Sequence, residues 1–101
     1  MQHRRTQTPF REALPELLEE KRASLRELGR RLQVDPTHLS RVRQGKKSIP
    51  DDLPERVAVA LGLPRDYFPE TRELIVFQAI RRDPGLRERI YSTVSRTSSR
   101  H

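Results

Sequence analysis

Apolar residues recur along the first half of the chain at helical spacing. Leu14, Leu17 and Leu18 share one side of a helix predicted from about Pro9 to Arg22. Pro15 removes a backbone hydrogen bond inside it, so its regular part is expected to begin near Ala13. Leu25, Leu28 and Leu32 follow at i, i+3 and i+7, behind Ser24 as N-cap and Glu27 three residues on. Gly29 falls on the same side. A glycine inside a helix costs roughly 1 kcal/mol, which is tolerable where another helix comes close. Gln33 and Val34 read as a turn. Asp35 is the next N-cap and Pro36 suits the first position of a third helix, predicted from Pro36 to about Arg43. Only Leu39 and Val42 are apolar in that helix, and Gly45 ends it.

The pattern continues with Leu53, Val57, Ala60 and Leu61 lining a fourth helix that Gly62 stops. A short fifth helical turn is predicted over Pro64 to Phe68. Residues 70–82 carry Leu74, Phe77 and Ile80, and the strand-like run "LIVF" at 74–77 sits inside this longer helical pattern. "DPG" at 83–85 breaks it, with Asp83 as cap and Pro84 opening a last helix on which Leu86, Ile90 and Val94 stand at i, i+4 and i+8. Alternating β-branched runs do not occur. The prediction is an all-α chain with a flexible basic arm over 1–9, a helical domain over 10–68, a helical extension over 69–95 and a disordered tail over 96–101.

Composition narrows the function classes. The chain has 101 residues, 33% apolar and 35% charged, enough for one domain with a modest core. Its net charge is +7, and residues 1–50 carry 12 Lys+Arg against 6 Asp+Glu while residues 51–101 carry 9 against 8. A positive field concentrated in one half points to a polyanion partner. With no cysteine, disulfides and thiolate metal sites are excluded, which fits a reducing cytoplasm. No apolar run is long enough to span a membrane, and Leu39 with Val42 offers too small an apolar face for membrane-surface binding. His3 and His101 lie at the ends, so His38 has no predicted metal partners. Ser40 and His38 diverge at i and i+2, and no glycine-rich phosphate loop appears. The chain therefore reads as a binding protein, with no catalytic residues, no metal and no cofactor.

Two short helices joined by a three-residue turn, the second apolar on one side and basic on the other, make a helix-turn-helix pattern. In such an arrangement the second helix enters the DNA major groove while the first braces it. The matching stretches, "SLRELGRRL", "VDPTHLSRVRQGKK", "LPERVAVALGL" and "DYF", resemble the Cro/repressor-type, or Xre-type, helix-turn-helix proteins of bacteria and phages over about residues 10–68. The resemblance implies a compact five-helix lambda-repressor-like DNA-binding domain, followed here by a C-terminal helical hairpin. It also implies that Pro36, Thr37, His38, Ser40 and Arg41 form the outward face of the recognition helix, and that the turn after Gly45 touches phosphates. Three positions depart from the family. Gln33 stands where glycine is frequent. Arg43 replaces a glutamate whose usual arginine partner on the first helix would match Leu18. The loop "KKSIPDD" lacks a late basic residue, so minor-groove readout from it is not expected.

Arg41 is the leading candidate for a bidentate contact to guanine, with Thr37, His38 and Ser40 as further base contacts. Ser24, Pro36, Arg43, Gln44, Lys46 and Lys47 are the candidate phosphate contacts, and Arg4 and Arg5 could track a groove as an arm. The expected protein is a cytoplasmic transcriptional regulator, a repressor that binds double-stranded DNA at a palindromic operator as a homodimer. Leu74, Phe77, Ile80, Leu86, Ile90 and Val94 are the dimer-seam candidates. The alternative is an antitoxin that binds its own promoter and holds a toxin protein through residues 70–95.

Overall fold

The computed structural model describes residues 5–98, and all regular structure among them is helical. Six helices follow in order: α1 (Phe10–Glu20), α2 (Leu25–Leu32), α3 (Pro36–Arg43), α4 (Leu53–Ala60), α5 (Pro69–Arg82) and α6 (Pro84–Ser98). The predicted helical turn at Pro64–Phe68 is a plain turn, closed by Tyr67 N donating to Pro64 O at 3.1 Å. Helix α1 begins at Phe10 rather than near Ala13. Phe10 is fully buried, and its amide donates to both carboxylate oxygens of Glu70, at 2.9 and 3.1 Å. That anchor outweighs the bond lost at the exposed Pro15.

One core joins α1 to α4. Leu14, Leu17 and Leu18 of α1 meet Leu28 and Leu32 of α2, Leu39 and Val42 of α3, and Leu53 and Val57 of α4. Phe68 closes it, packed edge-on against Phe10 with ring centroids 4.9 Å apart. The first turn of α5 belongs to the same body. Glu70 holds α1, Thr71 is buried, and the Arg72 guanidinium donates to the carbonyls of Thr6, Asp66 and Tyr67. Beyond Arg72 no residue up to Thr97 is buried.

Four helices end with the same pair of reversed hydrogen bonds. At the end of α1, Arg22 N bonds Glu19 O and Ala23 N bonds Leu18 O; at the end of α3, Gly45 N bonds Val42 O and Lys46 N bonds Arg41 O. The matching bonds after α2 run from Gln33 and Val34, and after α4 from Gly62 and Leu63. This cap places one residue in the left-handed region. Glycine fills it at Gly45 and Gly62, but Arg22 and Gln33 adopt it with φ of 53° and 57°.

Residues 5–9, expected as part of a flexible arm, are tied to the body. Thr6 N donates to Tyr67 O at 3.0 Å, and Arg5 Nε meets Asp66 Oδ2 at 2.6 Å. Arg4 and the end of the predicted tail, including His101, lie outside the described residues. Among the described residues, no helix is long and apolar enough to cross a membrane.

Candidate nucleic-acid interface

The α2–α3 unit is built by short-range chemistry. Ser24 Oγ accepts the amide of Glu27 at 3.0 Å, which fixes the start of α2. Asp35 Oδ1 accepts the amide of Thr37 at 2.9 Å, and Pro36 occupies the first position of α3. The two helices approach very closely. A Cβ on Gly29 would lie 2.6 Å from Val34 O and 3.2 Å from Pro36 Cγ, so only glycine fits there. The sequence reading of Gly29 as a close-approach position therefore holds: the ring of Pro36 at the start of α3 crowds it, and the turn carbonyl of Val34 crowds it more tightly still.

Helix α3 buries Leu39 and Val42 and turns its other side outward. An open concavity of about 430 Å³ is lined by Val34, Asp35, Thr37, His38, Arg41 and Lys47. Three of the four base-contact candidates thus share one hollow with a lysine from the following turn. Lys47 Nζ lies 3.4 Å from His38 Nδ1. Ser40 stands outside it, half-buried and in contact with Gln44 Nε2 at 3.4 Å. Lys46, Lys47, Gln44 and Ser24 are exposed, while Arg43 and Pro36 are half-buried.

The electrostatics set this face apart. All four ion pairs among the described residues lie outside residues 11–51: Arg5–Asp66, Arg56–Asp52, Arg65–Glu55 and Arg87–Glu88. Arg41, Arg43, Lys46 and Lys47 thus carry charges that no carboxylate of the described chain neutralises. Asp35 is the one acid lining the hollow, and its Oδ1 is engaged in capping α3.

The end of α3 is held by a residue that the sequence did not single out. Arg11 Nε donates to Val42 O at 2.8 Å, and Arg11 Nη2 donates to Lys47 O at 2.7 Å. One guanidinium on α1 thereby fixes both the last turn of α3 and the basic loop after it. Leu18, the expected match to the family's partner arginine, is a core residue at 7% exposure. An arginine does stand on α1 against the end of α3, but it bonds backbone carbonyls and not a side chain on α3. The available signal was a cation in the first turn of a helix, where the macrodipole disfavours it unless it has a partner. Two further arginines lace α2 to α4: Arg31 Nη1 donates to Ala60 O at 3.0 Å and Arg56 Nη2 to Leu32 O at 2.6 Å.

Of the remaining candidates, Arg5 is engaged with Asp66. Leu74, Ile80, Leu86 and Ile90 are half-buried, whereas Phe77 and Val94 are 58% and 55% exposed. No family model matches the chain, and no curated protein or solved structure shows significant similarity to it.

Proposed function

We propose that this protein is a sequence-specific DNA-binding transcriptional regulator of the Cro/repressor helix-turn-helix type, acting in the cytoplasm as a homodimer on a palindromic operator. The observation that carries the reading is the unpaired basic hollow on α3, where Thr37, His38, Arg41 and Lys47 converge. Helix α3 enters the major groove and α2 braces it. Arg41 reads a guanine edge, and Thr37 and His38 read neighbouring positions. Arg43, Lys46 and Lys47 meet phosphates, whose charge replaces the missing carboxylates. Arg11 sets the register by holding the α3 end and the lysine loop in one piece. A single module of this size buries little surface, so repression by operator occupancy calls for two copies.

The direct test is selection of bound sequences from a random duplex pool. Recovery of a two-fold symmetric site is the expected result. A pool that binds without enrichment would reduce the function to non-specific polyanion binding. The antitoxin reading keeps the same DNA-binding helix and differs in what covers α5 and α6.

A further inference from the structure

One turn of helix α5 is apolar around its whole circumference. Leu74, Ile75, Val76 and Phe77 are successive, roughly 100° apart, so no single neighbouring helix covers them all. Ile75, Val76 and Phe77 are 54%, 52% and 58% exposed. A turn that is apolar all round and exposed on three sides leaves apolar surface for another element to cover. Helix α6 is a second element that buries nothing in the described chain. It is a 15-residue helix, about 22 Å long, from which no residue between Pro84 and Thr97 is buried. The radius of gyration is 16.4 Å, against roughly 13 Å for a compact chain of this length.

Against the first half of α5 runs an open groove of about 370 Å³. Ile49, Pro54, Leu74 and Phe77 form its apolar lining, and Asp51 and Glu73 edge it with negative charge. No residue of α6 lines it. Among the described residues, neither Asp51 nor Glu73 forms an ion pair. Helix α6 has the opposite pattern. Its stripe of Leu86, Ile90 and Val94 is flanked on one side by Arg87, which meets Glu88 on the exposed surface at 2.8 Å, and on the other by Arg89, which forms no ion pair among the described residues. An acid-edged apolar groove and an arginine-flanked apolar helix are complementary in both polarity and charge.

We propose that α6 of a second copy of this chain seats in the groove between the α3–α4 loop and α5, and that the exchange is reciprocal. Each copy offers one groove and one helix, so a two-fold axis makes two identical contacts and closes the assembly. Leu86, Ile90 and Val94 cover Leu74 and Phe77, while Arg87 and Arg89 meet the acids on the groove's edges. The inference rests on the reading of the protein as a homodimer and does not depend on its binding DNA.

The test uses two full-length variants whose substitutions all fall on exposed positions. The groove variant carries Asp51→Arg and Glu73→Arg; the helix variant carries Arg87→Glu and Arg89→Glu. In each alone, both contacts of a homodimer set like charges against each other. Sedimentation without DNA is expected to show a dimer dissociation constant raised about tenfold to a hundredfold. Mixed one to one, the two variants restore the dimer, because each groove then faces a helix of opposite charge. Either variant dimerising like the wild type would overturn the proposal. So would a mixture that stays monomeric, because the exchange makes both contacts of the mixed dimer attractive. Circular dichroism checks helicity, and acids early in α6 favour its helix dipole. A wild-type chain that is monomeric alone would overturn both the exchange and the homodimer. Failure to select an operator would remove the DNA reading and leave the exchange standing.

Discussion

Phe68 and Phe77 are nine residues apart, and they sum up two different halves of the molecule. Phe68 is fully buried, locked edge-on between Phe10 and Tyr67. Phe77 is 58% exposed, with the Arg81 guanidinium over its ring, 5.2 Å from the centroid. From Phe10 to Arg72 the chain buries most of its apolar residues in its own core, Val59 at 48% exposure apart, and satisfies helix ends with arginines from distant elements. From Glu73 to Thr97 it carries similar residues and buries none of them. The closed region is complete in itself, and the open one carries the face proposed above for a second copy. The placement of the unpaired basic hollow on the closed region fits that division, because a rigid body holds side chains for readout better than a projecting hairpin does.

The largest expected effect tests the division with one substitution made twice. Phe68→Ala removes a ring packed on all sides and is expected to destabilise the fold by about 3–5 kcal/mol, a large part of what a domain this size has. Phe77→Ala is expected to change monomer stability by less than about 1 kcal/mol and to weaken dimerisation instead. Urea unfolding at dilute and concentrated protein separates the two. Equal losses at high dilution would show that α5 is part of the core, and the comparison would collapse.

Next comes the charge on the closed region. Lys46 and Lys47 follow Gly45 directly, exposed and without ion-pair partners among the described residues. Each phosphate contact contributes about −0.9 to the slope of log K against log salt, and a dimer makes each contact twice. Replacing both lysines by Gln should reduce the slope by roughly 3 to 4 units while leaving base preference intact. A salt titration on the selected site checks this. An unchanged slope would mean that the basic loop faces away from DNA.

Much of the closed region was legible because its signals are local. Ser24 with Glu27, Asp35 with Pro36, and Gly45 each act within three residues, and the structure places caps at all three sites. What escaped is long-range. Arg11 reaches carbonyls 31 and 36 residues away, and Arg72 reaches one 66 residues away. A backbone carbonyl leaves no trace in the sequence, so no pattern could name it as a partner. The start near Pro9 was legible, but that the helix is regular from Phe10 despite Pro15 was not, since Glu70 lies 60 residues from the amide it accepts. In the open region, Leu74, Phe77 and Ile80 were legible as an apolar stripe. The exposure of Ile75 and Val76 was not, because periodicity reports which face is apolar and not whether anything covers it.

A smaller effect concerns readout. Arg41→Ala should lower affinity for the selected site by about 1–3 kcal/mol and relax preference at one base position per half-site. Because Arg41 is exposed and outside the core, monomer stability and dimerisation should be unaffected. Competition against random duplex is the decisive measurement. A loss equal on specific and random DNA would make Arg41 a phosphate contact, and the hollow would then position the protein without reading sequence.

The smallest effect asks whether the closed region holds strain that an open one could not. After α2, Gln33 occupies the left-handed position that Gly45 fills after α3, with φ 57° and ψ 43°. A residue with a Cβ costs roughly 1–2 kcal/mol there, while glycine gives back roughly 0.5–1 kcal/mol in chain entropy when it folds. Gln33→Gly should therefore stabilise the domain by about 0.5–1 kcal/mol. The turn itself should not move, because Val34 N still bonds Gly29 O and Gly29 still admits the turn. The same exchange in reverse, Gly45→Gln, should destabilise by a similar amount and disturb the lysine loop that begins at the next residue. Urea unfolding of the two variants under identical conditions checks both signs. If Gln33→Gly destabilised the domain, the Gln33 side chain would have to contribute more than its backbone costs, and the turn between the two helices would be held by a contact rather than tolerated by the core.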